Sequence, residues 1–169
     1  MLKLIGIVLI ISACGGVGFA IAAAHRREER SLRQLVSILD FMECELQYRL
    51  TPLPELCRLC EREFPQLPGK VFGALADEME QQIFPDISCC MSYVLDRERD
   101  ISPITRKEFL LLGRSIGRFD LDGQLKGLEG VRQDCRLNLE RLGDNRDNRL
   151  RSYQTLGLCA GAALAILLI

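Results

Sequence analysis

LIGIVLIISACGGVGFAIAAA, the stretch Leu4–Ala24, decides how this chain is organised. It carries no charge, and at ~1.5 Å per residue a helix of this length extends roughly 31 Å, enough to cross the hydrocarbon core of a bilayer. A second uncharged run, Leu156–Ile169, closes the chain and gives roughly 21 Å, or about 25 Å if counted from Tyr153. Apart from Lys3, every charged side chain lies between the two runs. We therefore predict transmembrane helices at residues 1–25 and 152–169, with a single domain at residues 26–151 between them.

The orientation follows from the basic residues beside these runs. His25, Arg26 and Arg27 follow the first run, and Arg149 and Arg151 precede the second. By the positive-inside rule the central domain is cytoplasmic and both termini lie on the other side of the membrane.

The N-terminus also has an alternative interpretation as a lipoprotein signal lipidated at Cys14. A charged start, a short apolar stretch and small residues precede that cysteine, as in secretory signals. The apolar run nevertheless continues to Ala24, and an arginine cluster that resists export follows it. The uncleaved anchor is therefore favoured.

The central domain has the pattern of a helical bundle. Apolar residues recur every three or four positions along Ser31–Leu50 and form one stripe, whereas strand-like alternation never extends beyond a few residues. Prolines predict breaks at Thr51–Pro54, at Pro65–Gly69 and near Phe84–Pro85. The fold class is therefore all-α: a small cytoplasmic bundle of about six helices flanked by the two transmembrane helices.

Polar residues mark where several of these helices begin. Thr51 can cap the helix after the first break, and Asp86 can cap the fourth helix. Ser102, with proline at the next position, opens the fifth helix. Asp120 starts the last helix, whose apolar stripe runs from Leu121 onward.

Composition and motifs argue against an enzyme or a nucleic-acid-binding protein. The 22 Lys and Arg nearly balance the 23 Asp and Glu, and Trp is absent. His25, the one histidine, lies at the predicted membrane boundary. Gly15–Gly18 lacks the Lys-Ser/Thr of a P-loop and the spaced third glycine of a dinucleotide loop. We predict no catalytic residues, no bound metal and no cofactor.

The cysteines allow an alternative class of function. Cys57 and Cys60 have the spacing of a metal or redox pair, and Cys89 and Cys90 could complete four thiolates. Cys57 and Cys60 also fit an apolar helical stripe, and a reducing cytoplasm disfavours disulfides. Core packing is favoured over a membrane-anchored metal or redox protein that uses this pair.

Three parts of the chain resemble the stage III sporulation protein AB family. Met42–Tyr48 followed by Thr51–Glu55 resembles its first signature, and Leu112–Gly117 with Asp120 resembles its second. The tail from Tyr153 to the end resembles its terminal membrane segment. The resemblance covers the whole chain in order.

The resemblance implies a role in endospore formation. Members belong to the complex that joins the mother cell to the engulfed forespore, in the mother-cell membrane around the forespore. Their cytoplasmic domain is similar to that of the inner-membrane platform protein F of type II secretion. This implies a non-enzymatic platform or coupling subunit that docks a secretion-type ATPase similar to stage III sporulation protein AA, together with other membrane subunits. A homo-oligomer stays open as a further arrangement.

Candidate partner-binding residues lie in or beside the two signatures. They are Glu43, Glu45, Tyr48, Thr51, Pro52, Leu53, Pro54, Arg114 and Asp120. Glu43 lies between apolar positions of the first stripe, so its carboxylate either satisfies helix N-terminal N–H groups or receives a basic side chain from a partner.

The last apolar run offers a second kind of contact. Gly157, Gly161 and Ala165 are four residues apart and leave one helix face nearly free of bulk. Such a face allows close packing of transmembrane helices. The partner could be the first helix or a span of another subunit.

Overall fold

The computed structural model describes the backbone of residues 2–117 and 120–143, and the side chains from residue 23 onward. These residues form six helices and no strand, which confirms the all-α prediction for the part of the chain that the structure describes. The helices are α1 Leu2–Tyr48, α2 Leu53–Glu63, α3 Leu67–Gln81, α4 Ile87–Arg97, α5 Pro103–Ser115 and α6, residues 121–143.

The structure describes almost no side chains of the two predicted membrane spans. The second run, residues 156–169, lies outside the described residues, and so do Gly157, Gly161 and Ala165. The first run forms part of the continuous helix α1. Within the described residues, no helix combines the length and apolarity that a membrane crossing needs. The two spans and the domain limits stay predictions.

Three predicted helix starts are confirmed. The side chains of Asp86, Ser102 and Asp120 each accept a hydrogen bond from the backbone N–H three residues later, at 2.8, 3.2 and 3.1 Å. Each bond satisfies a donor that the first turn of a helix leaves without an intrahelical acceptor, and it stabilises the helix by about 1 kcal/mol.

The prediction that Thr51 caps α2 is wrong. Pro52 takes the position before the helix, and no side chain caps it. The Thr51 hydroxyl instead donates to the Glu45 carboxylate, 3.2 Å away, because that acceptor lies back on the last turn of α1.

The second predicted break is shorter than the sequence indicates. Pro68 and Gly69 belong to α3 rather than to the connection, and proline fits this first turn because it has no N–H to donate. A Cβ on Gly69 would overlap the carbonyl oxygen of Phe64, so only glycine allows α2 and α3 to approach so closely here.

The core lies between α1 and the five shorter helices. Phe72 of α3 and Phe109 of α5 are fully buried, with ring centroids 5.5 Å apart. The predicted stripe of α1 supplies buried side chains from Leu32 to Leu46. Leu121 does not join the core as predicted, because it is exposed at the first position of α6.

Several neighbouring helices run in opposite directions. Gly69 at the start of α3 lies against the end of α2, and Arg58 in the middle of α2 pairs with Asp77 and Glu80 near the end of α3, so these two helices are antiparallel. A Cβ on Gly127 of α6 would touch Ser115 at the end of α5, so α5 and α6 are also antiparallel. The connections that precede α2, α4 and α6 lie at the same end of the bundle, because Gly117 lies against Ile87 and Leu53.

Candidate docking site

Gly117 marks the place where these three connections meet. A Cβ at this position would overlap the side chain of Ile87 and touch that of Leu53, which are the first residues of α4 and α2. Gly117 also has φ +78°, a conformation that glycine adopts without the steric penalty of other residues. We call this end of the domain the tip and define it as residues 48–54, 82–87, 116, 117, 120 and 121.

The tip exposes large apolar side chains. Tyr48, Leu50, Ile83 and Leu121 are 82%, 67%, 65% and 36% exposed. Each lies in or directly beside one of the three connections, so three separate parts of the sequence contribute to the same end. Exposed apolar groups that share one surface are typical of protein–protein contact sites.

Leu50 is held in an unfavourable backbone conformation. Its φ is +51°, in the left-handed region, where a side chain such as leucine costs of order 1–3 kcal/mol. The turn presents the leucine to solvent, although burial would stabilise the fold more. Strain of this kind occurs preferentially where a chain makes functional contacts.

Two of the predicted partner-binding residues stabilise this turn from inside. The Glu45 carboxylate accepts the hydrogen bond from Thr51 and lies 3.3 Å from the Arg49 guanidinium. Pro52 is exposed, whereas Leu53 and Pro54 are half-buried. Glu45 and Thr51 therefore position the tip, and the apolar groups around them form its surface.

The second signature reaches the same end. Arg114 is exposed in the last turn of α5, and Asp120 caps α6. Because Gly117 lies between them in sequence and against Leu53 in space, the two signatures form one region. The sequence alone did not include Ile83, whose connection is separated from both signatures by about thirty residues of chain. The feature that could have identified Ile83 is its position as an apolar residue directly before the predicted helix break at Phe84–Pro85.

Glu43 lies away from the tip, where α6 packs on α1. Its carboxylate is 2.5 Å from the Arg132 guanidinium, which is also 2.7 Å from Asp40 and contacts Glu129. The hydrogen bond to Asp40, together with the nearby carboxylates, raises the pKa of Arg132 further above its ordinary value. Glu43 thus has a basic partner within its own chain. Sequence reasoning missed Arg132 because it follows Glu43 by 89 residues.

The cysteine pair belongs to the core, as predicted. Cys57 and Cys60 are fully buried on α2, and burial raises the pKa of both thiols, that of Cys60 to about 12. Cys90 is buried and Cys89 is exposed. In the described ranges, no three or more His, Cys, Asp or Glu side chains are grouped so that they could hold a metal ion.

The fold and the tip define a class of protein: an all-helical domain on a long first helix, with apolar side chains exposed at one end. The chain belongs to the stage III sporulation protein AB family, whose family model matches residues 3–169. It is 25% identical over 171 residues to stage III sporulation protein AB of Bacillus subtilis (strain 168), covering 99% of each chain. A solved structure of stage III sporulation protein AB has a similar fold, with a TM-score of 0.61 and 18% identity, over 72% of this chain and 98% of that one. The family predicted from the sequence is thus confirmed, and it supports a role in sporulation.

Proposed function

We propose that this chain is a non-enzymatic platform subunit of the channel complex between mother cell and forespore, and that its tip docks the cytoplasmic ATPase of that complex. Family membership supports the sporulation role. One observation carries the docking site. Two signature segments that are distant in sequence meet beside Gly117, and Tyr48 and Leu50 are exposed there.

The direction of the helices supports a tip that points away from the membrane. α1 is continuous, so Tyr48 lies 24 residues beyond Ala24, a distance of about 36 Å along the helix. α6 starts at the tip and runs back along α1, as the contact of Arg132 with Asp40 requires. Both predicted spans would then enter the membrane of the mother cell from the same side of the domain.

The chemistry of the tip supports binding rather than catalysis. The exposed groups are mainly apolar, and the hydroxyl of Thr51 is already engaged with a carboxylate. In this account ATP is hydrolysed by the docked partner, and this chain couples that partner to the membrane subunits.

Co-purification of the ATPase with the full chain from membranes of sporulating cells tests the proposal. Leu50→Asp places a charge on the tip, and aspartate tolerates a positive φ better than leucine, so the fold is retained. Leu137→Asp on α6 is the matched control, because Leu137 is also apolar and 43% exposed but lies far from the tip. We expect Leu50→Asp to reduce the recovered ATPase at least about tenfold, the loss that 1.4 kcal/mol of binding energy produces. Equal recovery with Leu50→Asp and the parent, or loss only with Leu137→Asp, would refute the tip as docking site.

A further inference from the structure

Glu108, in the middle of α5, is a fully buried carboxylate that lies outside the tip. Its Oε1 accepts a hydrogen bond from the Asn138 side-chain amide at 3.0 Å and lies 3.9 Å from the Lys107 ammonium. Its Oε2 is buried and has no hydrogen-bond partner among the residues that the structure describes. An ionised carboxylate with one oxygen in this state is costly, because burial removes water and nothing replaces it.

The groups around Glu108 do little to compensate the charge. On its own helix the facing group is Lys107, and on α6 they are Asp134, Cys135 and Asn138. Burial raises the pKa of the Glu108 carboxyl, and the negative charge of Asp134 adds to the rise. Lys107 and the hydrogen bond from Asn138 oppose it without cancelling it.

The part of α6 that covers Glu108 is weakly held by apolar contacts. The fully buried side chains of α6 are Leu128, Val131 and Cys135, and beyond Cys135 the described apolar residues are only partly buried. Arg132 fixes the helix to α1 just before this segment. Segments with few buried apolar groups open at low cost in free energy. Within residues 134–143 the fully buried apolar side chain is that of Cys135, so few such groups hold this segment on α5.

We propose that Glu108 is a proton-controlled latch for residues 134–143. As the neutral acid it allows this segment to pack on α5, and as the carboxylate it favours the open arrangement, in which water solvates the charge. Because the pKa is higher in the closed arrangement than in the open one, closure is fully favoured below the ordinary glutamate value. As the pH rises from that value to the raised pKa of the closed arrangement, the equilibrium constant for closure falls by up to about tenfold per pH unit. The latch does not depend on what binds the tip.

Hydrogen exchange of the purified full chain between about pH 4, near the ordinary glutamate pKa, and about pH 8 tests the latch, after correction for the intrinsic exchange rate. We expect protection of residues 134–143 to fall with rising pH relative to residues 71–76 of α3. Glu108→Gln cannot ionise and should abolish this dependence. Glu140→Gln, an exposed change on the same helix, should preserve it. Equal pH profiles in Glu108→Gln and the parent would overturn the proposal.

A second variant gives a result that a merely structural role would not. Asn138→Ala removes the hydrogen bond that the described residues of α6 donate to Glu108, and that bond lowers the pKa of Glu108. The midpoint of the pH dependence should therefore move to higher pH. An unchanged or lowered midpoint would contradict the latch, and this decides the matter even if Glu108→Gln fails to fold.

Discussion

Replacing Arg132 by methionine is expected to destabilise the domain by about 2 kcal/mol, because this side chain joins α6 to α1. Charge-assisted hydrogen bonds contribute about 1.5–3 kcal/mol each, and Arg132 makes two across the interface, to Asp40 and Glu43. Asp40 is 48% exposed, so water screens its ion pair with Arg132, and the total contribution is smaller than the sum of two such hydrogen bonds. Methionine keeps the apolar stem of the side chain, so the loss of stability measures the contribution of the guanidinium charge. Without the guanidinium, Asp40, Glu43 and Glu129 remain together and repel one another.

Urea unfolding of the full chain in detergent measures this loss. Arg136→Met, an exposed change one turn further along α6, is the control and should stay within about 0.5 kcal/mol of the parent. In the Arg132→Met background, Glu43→Gln should cost less than it does alone, since it then removes a repulsive charge. A value for Arg132→Met within about 0.5 kcal/mol of the parent, or additive effects of the two changes, would refute the reasoning.

The remaining predictions concern the thiols and the last apolar run. In the folded protein, Cys44 and Cys89 should react with a thiol reagent much faster than Cys57 and Cys60, whose burial keeps them protonated; equal rates, measured by mass spectrometry, would contradict the core placement. A membrane-impermeant reagent should label the two exposed cysteines only after permeabilisation of intact cells, and labelling beforehand would overturn the cytoplasmic orientation. Gly161→Ile should preserve membrane insertion and weaken assembly and sporulation, whereas normal sporulation would make the last run a simple tether.

Local rules predicted much of the helical pattern. Asp86, Ser102 and Asp120 each accept a hydrogen bond from the backbone N–H three residues later. Because acceptor and donor are so close in sequence, the sequence alone predicts such caps. Thr51 follows the same rule in sequence, yet its hydroxyl bonds to Glu45. The reason is that the left-handed turn at Leu50 brings the end of α1 within reach, and sequence does not show that geometry.

The sequence pointed to several residues of the candidate site but not to the way in which they come together. The two signatures supplied Tyr48, Arg114 and Asp120, but their meeting beside Gly117 depends on the antiparallel order of the helices. Glu108 had a signal that was missed: it shares a face of α5 with Phe109 and Leu112, and a charged residue on such a stripe is buried at a cost. Its orphaned oxygen is visible only in three dimensions.

Site-specific photo-crosslinking in sporulating cells tests the central claim most directly. A photoreactive residue in place of Tyr48, which is 82% exposed at the tip, should form an adduct with the ATPase of the sporulation complex. The same residue in place of Leu137 should not. An adduct from position 137 alone, or none from position 48 while the ATPase still co-purifies, would show that the partner binds elsewhere.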